Sequence, residues 1–187
     1  MWVFSIVCLQ LALQLVGASG SEMRTKVFVY GTLKKGEPNH EFMTDPATGK
    51  LWFIDNATTV DKFVMFVSSP RNIPFIVNSE EKNEGYQIKG ELYEVDDQKL
   101  AILDDIERFY TKIDIDVTDS KDVIHAAKIY VLPKTYPKLE ANKTMNFDNY
   151  YNGIEGRWYI EPNEKVFDVP SSDWLEEDES TESTISF

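Results

Sequence analysis

The chain has 187 residues, a formal net charge of −13 and an aromatic content of 13%. So acidic a balance excludes the basic patches that nucleic acid and anionic membranes require of a partner. The single cysteine, Cys8, lies in the N-terminal apolar run, so the rest of the chain has no disulfide, no thiol nucleophile and no cysteine-based zinc site.

Residues 1–20 read as a signal peptide. Trp2 to Val16 is apolar except at Ser5, Gln10 and Gln14, and the small residues Gly17, Ala18, Ser19 and Gly20 follow as at a cleavage site. The run is short for a spanning helix and no basic stop-transfer cluster comes after it. The expected protein is therefore secreted and extracellular, with no membrane attachment once the signal is removed. Two glycosylation sequons, at Asn56 (Asn-Ala-Thr) and Asn142 (Asn-Lys-Thr), agree with export.

Residues 21–169 suit one domain, large enough to bury a core without disulfides. Val27, Phe28, Val29 and Tyr30 form a buried strand, broken by Gly31-Thr32 and the turn chemistry of Lys34 to Asn39. Trp52-Phe53-Ile54 and Phe63 to Val67 read as two further strands. Pro70 and Pro74 bracket a rigid turn at Asn72-Ile73, which could present an amide to a ligand, before a strand at Phe75 to Val77. Tyr86 to Val95 alternates, with Ile88, Leu92 and Tyr86 on one side. Asp96-Asp97 caps a helix that runs to about Glu107. Tyr110 to Val117 and Ala127 to Leu132 alternate again, and a second helix is expected near Phe147 to Tyr151. Many short strands with few helices predict an α+β fold, a small mixed β-barrel or curled sheet. Residues 170–187 carry six acids, no base and seven Ser or Thr, and read as a disordered, solvated tail. Within it, Trp174-Leu175 could anchor on the domain or on a partner.

For chemistry, the sequence is informative mainly by elimination. His40 and His125 lack ligand-like spacing, so no metal site is expected. There is no G-x-S-x-G elbow, and the loop after the first strand lacks the Walker pattern. Among the carboxylates, Glu107 is distinguished by position: it lies seven residues after Leu100 and four after Leu103, on the apolar stripe of its helix. A glutamate there is costly unless paired, kept neutral or facing a cavity, and desolvation lifts its pKa toward the range useful for proton transfer. On pattern alone, a helix-end glutamate turned to solvent, or paired with Lys112 or Arg108, fits as well. Asp104 falls on the helix flank and Asp105 on its solvent side.

Several segments together resemble a known family. "VFVYGTLKKGEPNH" (27–40), "RNIPF" (71–75), "GELYEVDD" (90–97), "LDDIE" (103–107) and "NYYNGIEGRWYIEPNE" (149–164) are similar, in order, to gamma-glutamylamine cyclotransferases and the wider gamma-glutamylcyclotransferase-like group. The signal, sequons and acidic tail depart from the mostly intracellular members. The resemblance implies a gamma-glutamylcyclotransferase-like fold and a monomeric enzyme without cofactor. Its substrate would be a small γ-glutamyl amine such as ε-(γ-glutamyl)-lysine, cyclised by its own α-amine to 5-oxoproline and a free amine. Glu107 would be the general base. Backbone N–H groups of Tyr30, Gly31, Thr32 and Leu33 would cradle the substrate carboxylate or the oxyanion, with Lys34 and Lys35 as a solvated outer rim. Asn72, Tyr110 and either Tyr150 or Tyr151 would complete the substrate site. The alternative is a non-catalytic secreted binding protein of the same fold.

Overall fold

The computed structural model describes residues 23–77, 84–133 and 137–161. The expected signal peptide and acidic tail lie outside these residues. The first strand, β1 (Arg24–Val29), is buried on both faces over its apolar half. Phe28 and Tyr30 face the barrel interior with Ile88, Leu92 and Ile129. Val27 and Val29 face outward, onto Met43, Leu103 and Tyr130. Burial on both sides explains why Val27 to Tyr30 is continuously apolar rather than alternating.

A short helix, α1 (His40–Thr44), leads to the long strand β2 (Leu51–Ser68). Then come β3 (Ile73–Val77), β4 (Tyr86–Asp96), the helix α2 (Asp97–Ile106), β5 (Thr111–Asp119), β6 (Ile124–Val131) and a four-residue helix α3 (Pro137–Glu140). The strand order is β3-β2-β4-β1-β6-β5, and β5 also pairs with β2. Five strands therefore close into a barrel, with β3 added outside on β2. Most pairings are antiparallel, but β1 and β6 run parallel, so the barrel is mixed as expected.

β2 is one strand where the sequence suggested two. Its polar stretch Asp55 to Lys62 reads as a connection, yet it stays in the sheet through irregularities after Phe53 and after Thr58. At the second irregularity the buried Thr59 hydroxyl accepts from the Ile88 N–H at 2.8 Å, standing in for a ladder carbonyl. Helix α2 begins where expected: the Asp96 carboxylate accepts from the N–H of Lys99 at 2.8 Å and of Lys50 at 2.9 Å.

Two further expectations fail. Tyr86 does not join Ile88 and Leu92 inside but is exposed, at the start of β4. No helix forms at Phe147 to Tyr151. This stretch is an irregular strap on the sheet: Thr144 and Phe147 donate to the carbonyls of Val67 and Met65, and Lys89 donates to that of Asp148. Asn and Asp at 146, 148, 149 and 152 disfavour helix, and backbone partners across the sheet decide the outcome.

Candidate active site

At the C-terminal end of β1 the chain turns sharply. Lys34 N–H donates to Gly31 O at 3.1 Å and Asn39 N–H to Thr32 O at 2.9 Å, folding residues 31–39 into a tight loop. The Asn39 amide also donates to the Thr32 hydroxyl at 3.0 Å, and a His40 ring nitrogen bonds the Leu33 carbonyl at 2.9 Å. The N–H groups of Gly31, Thr32 and Leu33 donate to none of the carbonyls in this loop network. Glycine is required at 31 because a Cβ there would lie 2.8 Å from Cγ of Pro74, on β3.

This loop forms one wall of a cavity of about 80 Å³, room for several waters or one small polar ligand. Tyr30, Gly31, Thr32 and Leu33 contribute on one side, Ile73 and Pro74 on another, and Leu103, Ile106, Glu107 and Tyr110 on a third. Glu107 caps the C-terminus of α2: its N–H donates to Leu103 O at 2.9 Å, and its carbonyl accepts from the Tyr110 N–H at 2.8 Å. One rigid turn thus presents both the carboxylate and the phenol to the cavity.

The pairings that the sequence left open for Glu107 are taken up elsewhere. Lys112 bonds both oxygens of Asp104 at 2.7 Å, and Arg108 lies against Asp105 at 3.9 Å. Among the described residues nothing hydrogen-bonds the Glu107 carboxylate. Burial alone pushes its pKa from 4.5 up to about 7. Burial, and then the charge of Glu107, raise the Tyr30 phenol above its usual range, and likewise that of Tyr110. Both therefore remain protonated hydrogen-bond donors around neutral pH. Among the described residues the cavity wall contains no Lys or Arg.

The structure thus brings together Glu107, Tyr30 to Leu33 and Tyr110, and leaves Asn72 out. The Asn72 amide donates to the Trp158 carbonyl at 2.8 Å, and its neighbours Ile73 and Pro74 line the cavity instead. Tyr150 is buried in the barrel core and Tyr151 is exposed; neither lines the cavity. Lys34 is not part of a solvated rim. It is buried, donating to the Asn149 amide oxygen at 2.8 Å and the Tyr150 carbonyl at 2.7 Å, and so ties the loop to the strap. Lys35 is exposed. The sequence reading missed Tyr130, Asn39 and Phe42 in the cavity wall. Asn39 carried a signal, its place three residues after the Gly36 turn; Tyr130 was placed only within the strand Ala127 to Leu132, and nothing in the spacing singled out Phe42. Asn56 and Asn142 are both exposed, and the sequon hydroxyl of Thr144 is buried, accepting from the Val67 N–H at 2.9 Å. Among the described residues no three His, Cys, Asp or Glu side chains gather as a metal would need.

A family model described as gamma-glutamyl cyclotransferase, AIG2-like, matches residues 27–152. The chain belongs to that family. Within the gamma-glutamyl cyclotransferase, AIG2-like family, it is 43% identical over 81 residues to the gamma-glutamylaminecyclotransferase of Rattus norvegicus, covering 43% of this chain and 53% of that one. Gamma-glutamylaminecyclotransferase B of Danio rerio is 33% identical over 139 residues, covering 71% of this chain and 72% of the relative. The chain thus spans about half the length of several curated relatives it matches, and more of others. A crystal structure of an AIG2-like protein from Mus musculus superposes with a TM-score of 0.68 at 28% identity, over 76% of this chain and 99% of that one. The matched residues contain both Glu107 and the Tyr30–Leu33 loop.

Proposed function

We propose that this protein is a gamma-glutamylamine cyclotransferase. The observation that carries the proposal is the meeting of Glu107, poised near pH 7, with the N–H groups of Gly31 to Leu33, which bond no carbonyl of their loop, in one small cavity. A γ-glutamyl amine carries its own nucleophile, so the protein has to fold the substrate and move protons. Well-oriented intramolecular reactions reach effective molarities on the order of 10⁵ M or more. Glu107 takes a proton from the α-ammonium, the freed amine attacks the γ-carbonyl carbon, and the tetrahedral centre collapses. Glu107 returns that proton to the departing nitrogen, then takes the second proton from the ring nitrogen and passes it to the released amine, so that a neutral lactam and an ammonium leave. The loop N–H groups hold the substrate carboxylate or the oxyanion. No water, metal or covalent enzyme intermediate enters the sequence.

The wall composition bears on the leaving group. With no cation and one acid among the described wall residues, a leaving amine that carries a carboxylate beside the scissile nitrogen would bring uncompensated negative charge toward Glu107. In ε-(γ-glutamyl)-lysine that carboxylate is several carbons away, which supports isopeptide-type substrates. We read the protein as exported and glycosylated at Asn56 and Asn142, a reading supported by the Trp2 to Val16 run and by exposure of both asparagines. The test is incubation with ε-(γ-glutamyl)-lysine and a panel of γ-glutamyl amino acids, with 5-oxoproline followed by mass spectrometry. Release from the isopeptide is expected to exceed release from the amino-acid conjugates. No 5-oxoproline from any of them would leave a binding protein of this fold as the better account.

A further inference from the structure

This inference rests on the cyclisation reading and assigns a role to one more group in the same cavity. Among the described residues three tyrosines line it, Tyr30, Tyr110 and Tyr130. Two of the three hydroxyls are committed to the protein. Tyr30 donates to the Tyr130 carbonyl at 3.0 Å. Tyr130 donates to Asp104 at 2.6 Å, and Asp104 is itself held by Lys112. The Tyr110 hydroxyl bonds to no described residue.

That hydroxyl is open without being loose. The Tyr110 ring stacks on Phe75, with centroids 6.2 Å apart and planes 23° from parallel. Its backbone is fixed to Glu107 by the turn hydrogen bond of 2.8 Å. Phenols set into apolar walls generally find an acceptor. A rigid donor with none among the described residues, beside the general base, is placed to find one on the ligand.

We propose that the Tyr110 hydroxyl is a catalytic hydrogen-bond donor to the γ-carbonyl oxygen of the substrate as that oxygen becomes an oxyanion. As the α-nitrogen bonds to the γ-carbon, the carbonyl π pair moves onto oxygen, where the Tyr110 O–H meets it. When the pair returns, the bond to the departing nitrogen breaks and that nitrogen leaves with the proton from Glu107; the ring nitrogen's second proton follows through Glu107 to the released amine, leaving a neutral lactam. Tyr110 keeps its own proton throughout. The Gly31 to Leu33 N–H groups are then left for the α-carboxylate, which divides the two anionic oxygen groups between two sets of donors.

Tyr110→Phe in the full chain tests this, because it keeps the ring and its stack on Phe75. With ε-(γ-glutamyl)-lysine, kcat should fall about 100-fold, the usual effect of losing one oxyanion donor. KM should stay within a few-fold, and the pH at which the activity of Glu107 switches on should not move. A melting midpoint close to wild type and unchanged affinity for added 5-oxoproline would show the site to be formed in the variant. Unchanged kcat, a loss confined to KM, or a displaced pH limb would each overturn the assignment; the last would make Tyr110 a positioning group for Glu107. If Tyr110→Phe is fully active while Glu107→Gln is inactive, this inference fails and the cyclisation reading stands. If the wild-type protein releases no 5-oxoproline from any γ-glutamyl amine, the reading fails and takes the inference with it.

Discussion

Replacing Glu107 with glutamine should abolish activity and, above neutral pH, make the protein more stable. Burial raises this carboxyl from 4.5 to about 7 in the folded state, so the folded protein holds a proton that the unfolded chain has lost over that interval. Stability associated with the bound proton is therefore present below pH 4.5 and is lost as pH rises to about 7. At about 1.4 kcal/mol per pKa unit, the full interval sets a ceiling of about 3 kcal/mol on the cost of carrying the ionised group. Water reaching the carboxylate through the open cavity lowers that cost, to roughly 1–3 kcal/mol. Glutamine is nearly isosteric and never ionises. Its gain at pH 8 should appear as a rise in Tm of roughly 2–10 °C, shrinking to a degree or so near pH 4.5. Paired thermal melts of the two proteins at pH 4.5 and pH 8 measure this directly. Equal midpoints at both pH values, or a glutamine variant less stable at pH 8, would refute the reasoning, since Glu107 would then be solvated or paired in the native state.

Gly31→Ala should impair activity more than stability, because its Cβ meets the Pro74 ring at 2.8 Å and displaces the loop N–H groups by overpacking, at a cost of about 1–3 kcal/mol. Adding Pro74→Ala removes the clashing atom, so the double variant should regain activity in the 5-oxoproline assay; no recovery would mean that glycine serves another purpose there. Lys34→Met should leave the Asn149 amide and Tyr150 carbonyl unpaired and lower stability by about 1–3 kcal/mol, read by denaturant titration. An unchanged midpoint would return Lys34 to the solvated rim. Lys99→Met should be at least as damaging, since its buried ammonium is held by the carbonyls of Phe42 and Asp45 and by the Thr48 hydroxyl, which brace the segment carrying Phe42 to the cavity.

What could be read from the sequence was whatever depends on local spacing. The period of Leu100, Leu103 and Glu107 puts the carboxylate on the buried side of α2, and the Asp96 cap marks where that helix starts. The glycine after Tyr30 marks the turn that forms one wall. The opposite walls were hidden because topology supplies them. Pro74 reaches Gly31 only because β3 adds to β2, and Tyr130 reaches α2 only because β6 lies parallel beside β1. No periodicity within either segment records those pairings. Lys34 illustrates the limit from the other side. A lysine in a turn is ordinarily solvated, and only a strap from more than a hundred residues away supplies the two oxygens that bury it. The unbroken β2 escaped notice for the same reason, since its polar middle is kept in the sheet by β4 and β5 rather than by its own composition.

The central claim, that Glu107 acts as a base in the cavity beside the Tyr30–Leu33 loop, is tested most directly by the pH dependence of kcat/KM for 5-oxoproline release from ε-(γ-glutamyl)-lysine. Wild-type activity should rise with pH as the carboxyl ionises, with a midpoint at about 7, and Glu107→Gln should show no measurable activity at any pH. Full activity in the glutamine variant, or a wild-type profile flat through neutrality, would contradict it.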